Sequence, residues 1–182
     1  MKCACSTSET PGTAGRHALT RSPVPRRPPT SRTYKTRPPA PGDDHGVKFE
    51  TKVAVLVRDD LETWQRLNVT AFLTSGITAA HPQLVGEPYA DADGTAYLAL
   101  LGQPVVVLEA TAEVLRAAHA RALGRELAMS VYTREMFSTG WDEANRAAVA
   151  AVPRDELDLV GLAVFGPRNG VDKTVKGARL HP

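Results

Sequence analysis

Past its first few residues this sequence has no cysteine. The two it has, Cys3 and Cys5, stand at the N-terminus. No disulfide can brace the remainder, and a Cys-x-Cys pair alone falls short of the four ligands zinc takes. Histidine offers no more. His17, His45, His81, His119 and His181 have no metal-ligand spacing, so no metal or cofactor is predicted. No apolar run is long enough to span a bilayer, and no apolar core of a signal peptide precedes a cleavage site. These absences predict a cytoplasmic protein that makes no use of a membrane.

Charge and proline are unevenly placed. Residues 1–45 carry eight basic and three acidic side chains and eight of the 14 prolines. With the chain at +2, the tail is at +5 and the rest at −3. A segment so poor in apolar periodicity cannot offset its ordering entropy, so residues 1–46 are predicted to be a disordered basic tail. The tail reads as an inert or non-native extension, with Val47 as an alternative start; a basic arm that touches nucleic acid or an acidic partner is the other reading. The mildly acidic body, 47–182, is a poor match for a polyanion, so nucleic acid is not expected to bind it.

The body alternates strands and helices. Lys52–Val57 is a nearly continuous β-branched run, suited to a strand buried on both faces. Asp60 is placed to cap a helix running to about Ala80, with Trp64, Leu67, Ala71, Leu73 and Ile77 near helical spacing. Tyr89–Leu101 reads as a hairpin around Asp91-Ala92-Asp93-Gly94. Val105–Leu108 is the next strand. Thr111 caps a second helix that Gly124 closes. Leu127–Tyr132 is a strand. Thr139–Val152 holds a helix in which Asp142 and Asn145 stand as cap and third residue. Leu157–Phe165 is the last strand. Strands separated by helices predict an α/β sandwich, and the short link before Val105 predicts a mixed sheet.

The chemistry-bearing groups cluster at strand ends. Gly166-Pro167-Arg168-Asn169-Gly170 follows the last strand, with Asp172 and Lys173 just beyond. Two glycines and a proline permit a sharp turn. The Gly-Lys-Ser/Thr of a phosphate-binding loop is absent, because Val171-Asp172 intervene. An anion cradle from Arg168 and Lys173 and a plain Asp172–Lys173 ion pair are the two readings of this segment. Asp60 reads as a cap. In Tyr132–Glu135 and Ser138–Asp142 no nucleophile stands in an elbow pattern.

Three blocks in order carry a resemblance: Lys52–Leu61 (KVAVLVRDDL), Leu101–Ala110 (LGQPVVVLEA) and Val160–Leu180 (VGLAVFGPRNGVDKTVKGARL). Their order and spacing are similar to the peptidyl-tRNA hydrolase type II superfamily. Trp64–Asn68, Tyr132–Asn145 and Gly166–Leu180 resemble, more closely, its bacterial domain-of-unknown-function family two thousand. The resemblance covers Lys48–His181. It implies a three-layer α/β/α sandwich with a mixed β-sheet, peptidyl-tRNA hydrolase type II-like.

Activity does not carry over with it. Where the hydrolases have a Gly- and Lys-rich loop, this chain has Glu62–Asn68, with neither residue. Phe72–Ser75 stands where a histidine is expected, and Val131–Arg134 where an aspartate is. Asp172-Lys173 does match. The catalytic residues are thus left unassigned. The expected function is a non-hydrolase domain that binds a small anionic ligand or a protein partner in the inherited cleft. Its expected lining is Arg58, Asp59, Trp64, Asn68, Tyr132, Thr133, Arg168, Asp172 and Lys173. A divergent peptidyl-tRNA or acyl-ester hydrolase is the first alternative. A structural or regulatory interaction module, marked by an exposed apolar patch around Trp64 or Trp141, is the second. Some superfamily members pair, so a homodimer is compatible with the resemblance.

Overall fold

The computed structural model describes residues 48–180. The expectations for the tail, for Val47 and for His181 lie outside them. Six strands and four α-helices follow in the order β1 (Thr51–Arg58), α1 (Thr63–Ala80), β2 (Tyr89–Ala90), β3 (Ala96–Tyr97), β4 (Val105–Ala110), α2 (Ala112–Leu123), β5 (Ala128–Thr133), α3 (Asp142–Ala150), β6 (Leu159–Pro167) and α4 (Arg168–Thr174).

The main sheet is mixed, with the order β4-β1-β6-β5. β1 and β4 are parallel, from Val53↔Val105 to Arg58↔Ala110. β6 runs antiparallel to both β1 and β5. The sheet is therefore mixed as expected, but for another reason. The hairpin β2–β3 stands outside it as a separate two-stranded ribbon. What reverses direction is β6.

The β-branched run of β1 feeds both faces, because successive side chains alternate. Val53, Val55 and Val57 pack with Val69, Leu73 and Ile77 of α1. Ala54 and Leu56 pack with Leu115, Ala118 and Ala122 of α2 and Val171 of α4. Helices thus cover both faces. The buried stripe of α1 is Val69, Leu73 and Ile77, at i, i+4 and i+8. Trp64 and Leu67, expected inside, are 60% and 68% exposed.

Three local expectations are corrected. Asp60 does not cap α1. Its carboxylate is taken by Arg58 and Arg134, Leu61 is buried, and Glu62 becomes the N-cap, with Gln65 Oε1 accepting its N–H at 2.9 Å. Trp141, not Asp142, is the N-cap of α3. The glycine-rich segment after the last strand is not a loop: β6 continues to Pro167 and α4 starts at Arg168. Thr111 does cap α2, its Oγ1 accepting the Val114 N–H at 3.3 Å.

Candidate functional site: an aromatic cleft at the sheet edge

Trp64, Asn68 and Phe72 stand four residues apart on α1, so they project from one side of the helix. That side overhangs β5, an edge strand of the sheet. After Thr133 the chain takes a short 3₁₀ turn, Arg134–Ser138, and then enters α3. The turn brings Met136 and Phe137 under α1, and α3 with its N-cap supplies Trp141, Asn145 and Val149. Together they enclose a cleft of about 900 Å³.

The wall is a chain of rings. Trp64 meets Phe137 edge-on at 5.8 Å, Phe137 meets Tyr132 at 5.2 Å, and Tyr132 meets Phe72 edge-on at 6.0 Å. These spacings suit favourable ring–ring contact. Trp141, 66% exposed, stands at the mouth. Tyr132 is buried, and burial pushes its phenol above the ordinary value, so it stays a neutral donor. Its Oη lies 3.4 Å from Asn68 Oδ1, a long contact. The Thr139 hydroxyl sits between the Met136 carbonyl, at 2.9 Å, and Asn145 Oδ1. With its oxygen facing the Tyr132 hydroxyl, Asn68 has its NH₂ left to donate. The Thr139 hydroxyl has a single proton for the Met136 carbonyl and Asn145 Oδ1, so Asn145 is engaged with Thr139. Arg146, held by Asp142, adds guanidinium N–H groups on the same wall.

Of the nine residues singled out in the sequence, Trp64, Asn68 and Tyr132 meet in this cleft. The other six do not line it. Arg58 and Asp59 lie at the C-terminal end of β1. There Arg58 and Arg134 share the carboxylates of Asp60 and Asp158. The Asp60 hydrogen bond is the main reason the Arg58 pKa is raised, and its counterpart holds Asp60 below the ordinary carboxylate range. The Asp59 carbonyl accepts from Arg66 at 2.6 Å, and its carboxylate is 3.5 Å from Arg179. Thr133 is fully buried. Arg168, Asp172 and Lys173 sit at the other end of the sheet, where Pro167 pairs with Thr51. The two ends are seven residue steps of β1 apart, roughly 23 Å. Asp172 pairs with Lys52 at 2.7 Å instead of with Lys173.

Phe72, Phe137 and Asn145 are not among the residues expected to line a site, and Trp141 is expected only in an exposed apolar patch. The signal for them was scarcity. Aromatics are 5% of the chain, and five of its ten lie between positions 64 and 141 on this one wall.

A second hollow of about 860 Å³ runs along the other side of α1, against Val57 and Val107. Its threonines Thr70, Thr74 and Thr78 each donate to the carbonyl four residues back, so their protons are already engaged. Among the described residues no group of three or more His, Cys, Asp or Glu could hold a metal, and no helix is long and apolar enough to cross a membrane.

A family model described as "Protein of unknown function (DUF2000)" matches residues 51–182. The chain belongs to the DUF2000 family. A solved structure of a protein of unknown function, Atu0240 from Agrobacterium tumefaciens strain C58, is similar to it. That structure is 48% identical, covers 74% of this chain and 100% of its own, and superposes with a TM-score of 0.72. No curated protein matches this DUF2000 chain.

Proposed function

We propose that this DUF2000 domain binds a small molecule in the aromatic cleft. The ligand has an apolar or planar body and a hydrogen-bond-accepting head, a carbonyl or a carboxylate. One observation carries the reading: half of the chain's ten aromatics converge on a single cleft that holds the amide of Asn68, whose NH₂ remains to donate. A concave, mostly apolar wall with a few placed polar groups is the usual form of a small-molecule site. Trp64 and Trp141 are exposed, as the interaction-module reading asks; the concavity of their wall is what favours a small molecule over a protein partner. Arg146 favours the carboxylate as head, which keeps the ligand within the small anionic class.

The helices on both faces of the mixed sheet support a relation to the peptidyl-tRNA hydrolase type II-like three-layer sandwich. Turnover is no part of the proposal. An acyl ester needs a nucleophile beside a base. On this wall the Thr139 hydroxyl is occupied and the Asp142 carboxylate is tied to Arg146.

Both tryptophans of the chain line the cleft, so intrinsic fluorescence reports on it directly. The test is a titration with matched aryl and acyl carboxylates, amides and amines. Carboxylates and amides are expected to give a saturable change, and amines of the same body none. Asn68→Ala should weaken binding about tenfold, the loss of one good hydrogen bond. Saturation by amines alone, no saturation at all, or an unchanged Asn68→Ala would each end the proposal.

A further inference from the structure

Among the described residues the hairpin between α1 and β4 pairs with no other strand. Every residue from Val85 to Leu98 is exposed. β2 and β3 pair only with each other, two residues apiece. The tip is nonetheless built. Asp91 Oδ1 accepts the N–H groups of Asp93 and Thr95 at 3.0 and 2.8 Å, and Oδ2 accepts the Tyr97 hydroxyl at 2.8 Å. Gly94 supplies the positive φ, +83°, that the turn requires. The arm displays Tyr89, Tyr97, Leu98 and Leu100, all more than half exposed and Leu98 89% exposed. A two-stranded ribbon alone in water is marginal, and a cluster of exposed apolar side chains marks a contact surface.

The arm also carries one sign of charge. Its charged residues are Glu87, Asp91 and Asp93, and no lysine or arginine occurs from 82 to 115. The opposite sign lies on α2 and α4. Arg121, Arg125, Arg168, Lys173 and Lys176 have no carboxylate at ion-pair distance among the described residues. They share one surface, because α2 packs on α4 and Arg121 donates to the carbonyls of Thr174 and Lys176 at 2.9 Å each. Leu123, 39% exposed, adds an apolar spot beside them. Arm and face reach the same end of the sheet. At the root of the arm, Gln103 Oε1 accepts from Thr51 Oγ1 at 3.0 Å, and the Arg168 N–H donates to the Glu50 carbonyl at 3.0 Å. No ion pair joins arm and face within the described chain.

We propose that the chain forms a two-fold homodimer in which the acidic arm of each copy lies on the basic α2–α4 face of the other. The complementary surfaces belong to one chain and do not meet among its described residues, so a second copy is the partner that offers each its complement. A two-fold axis at the shared end of the sheet makes both contacts at once. Opposed charges fix the register, and the arm's leucines and tyrosines supply the area.

The test is the mass of the full chain in solution by light scattering. At low salt the native chain is expected at about twice 19.5 kDa, falling toward a single chain as salt screens the charges. A chain with Glu87→Lys and Asp93→Lys, and a second with Arg168→Glu and Lys173→Glu, should each be monomeric with unchanged circular dichroism. All four positions are exposed, so neither variant should fail to fold. Mixed in equal amounts, the two variants should restore the two-chain species, because each reversed arm then meets a reversed face. A native chain that stays at 19.5 kDa at every concentration overturns the proposal. So does a dimer that survives charge reversal, which would use another face. So does a mixture that stays monomeric. A monomeric native chain whose binding to heparin is lost on Arg168→Glu with Lys173→Glu would mark the basic face as a polyanion site instead.

Discussion

Replacing Gly161 by alanine should injure stability and cleft together. Gly161 lies in β6 opposite Tyr132 of β5 and faces α1. A Cβ there would stand 2.3 Å from Val69 Cγ1 and 2.8 Å from Leu73 Cδ1. Ordinary carbon contacts are about 3.5–4.0 Å, so α1 must withdraw by roughly an ångström or Val69 must turn. Val69 is β-branched and has essentially one rotamer in a helix, which leaves the withdrawal. Overpacking of this kind costs about 1–3 kcal/mol, and removing a strand glycine returns about 0.5–1 kcal/mol. The expected net loss is about 1–2 kcal/mol in urea unfolding. Asn68 neighbours Val69 on α1, so the same movement should open its 3.4 Å contact with Tyr132 and shift the tryptophan emission of the folded state. Val69→Ala supplies the control. Alone it loses apolar packing, but with Gly161→Ala the new methyl has room, so the pair should cost less than the sum by about 1 kcal/mol. A Gly161→Ala chain as stable as the native one, or strict additivity with Val69→Ala, would refute this account of how closely α1 rides on the sheet.

Three further outcomes follow from the structure. His119 is buried on α2, and burial, aided by Arg154 and opposed by Asp155, pushes its pKa below the ordinary 6.5. The unfolded chain therefore takes up the proton more readily. The contribution to stability is complete above about pH 6.5 and is lost as pH falls from there toward the folded-state pKa; thermal unfolding should show this slope, and His119→Leu should flatten it. Thr111→Ala removes the side-chain cap of α2 and should cost about 1 kcal/mol by urea unfolding. Asp158→Ala takes a partner from both Arg58 and Arg134. Its carboxylate is 42% exposed, so the loss should be no more than about 1 kcal/mol and should shrink in high salt.

The sheet was legible because its strands are written as apolar runs bounded by caps and turns. β1 and β6, buried on both faces, stand out as continuous Val, Leu and Ala. The errors fell where a side chain's tertiary partner decides its role. Asp60 has the composition of a cap, and nothing local says that Arg134, 74 residues away, will claim it. Asp172 precedes Lys173, yet the sheet brings Lys52 to it from 120 residues away. The glycines at 166 and 170 looked like loop punctuation. In the fold Gly166 lies where a Cβ would strike Leu127, so that glycine answers to packing rather than to a turn.

The cleft was harder to read, for a reason that the strand-end argument conceals. In a parallel sheet, catalytic and binding groups gather beyond the carboxyl ends of the strands, and that rule directed attention to Arg58, Asp59 and Thr133. Here those positions are consumed by ion pairs and burial. One strand runs the other way, so Arg168 and Lys173, which follow its carboxyl end, arrive at the opposite end of the sheet. The concave surface forms instead at the side, where α1 overhangs edge strand β5 and the turn after it folds back. Nothing in the periodicity of α1 announces this, since its buried stripe is Val69, Leu73 and Ile77 and the cleft residues occupy the neighbouring side. What could announce it is an apolar cost left unmet. Trp64, Phe72 and Trp141 are each more than half exposed in a chain with few aromatics. Large rings kept in water on one concave wall, beside an amide with donors to spare, are the expected form of a site that something else completes.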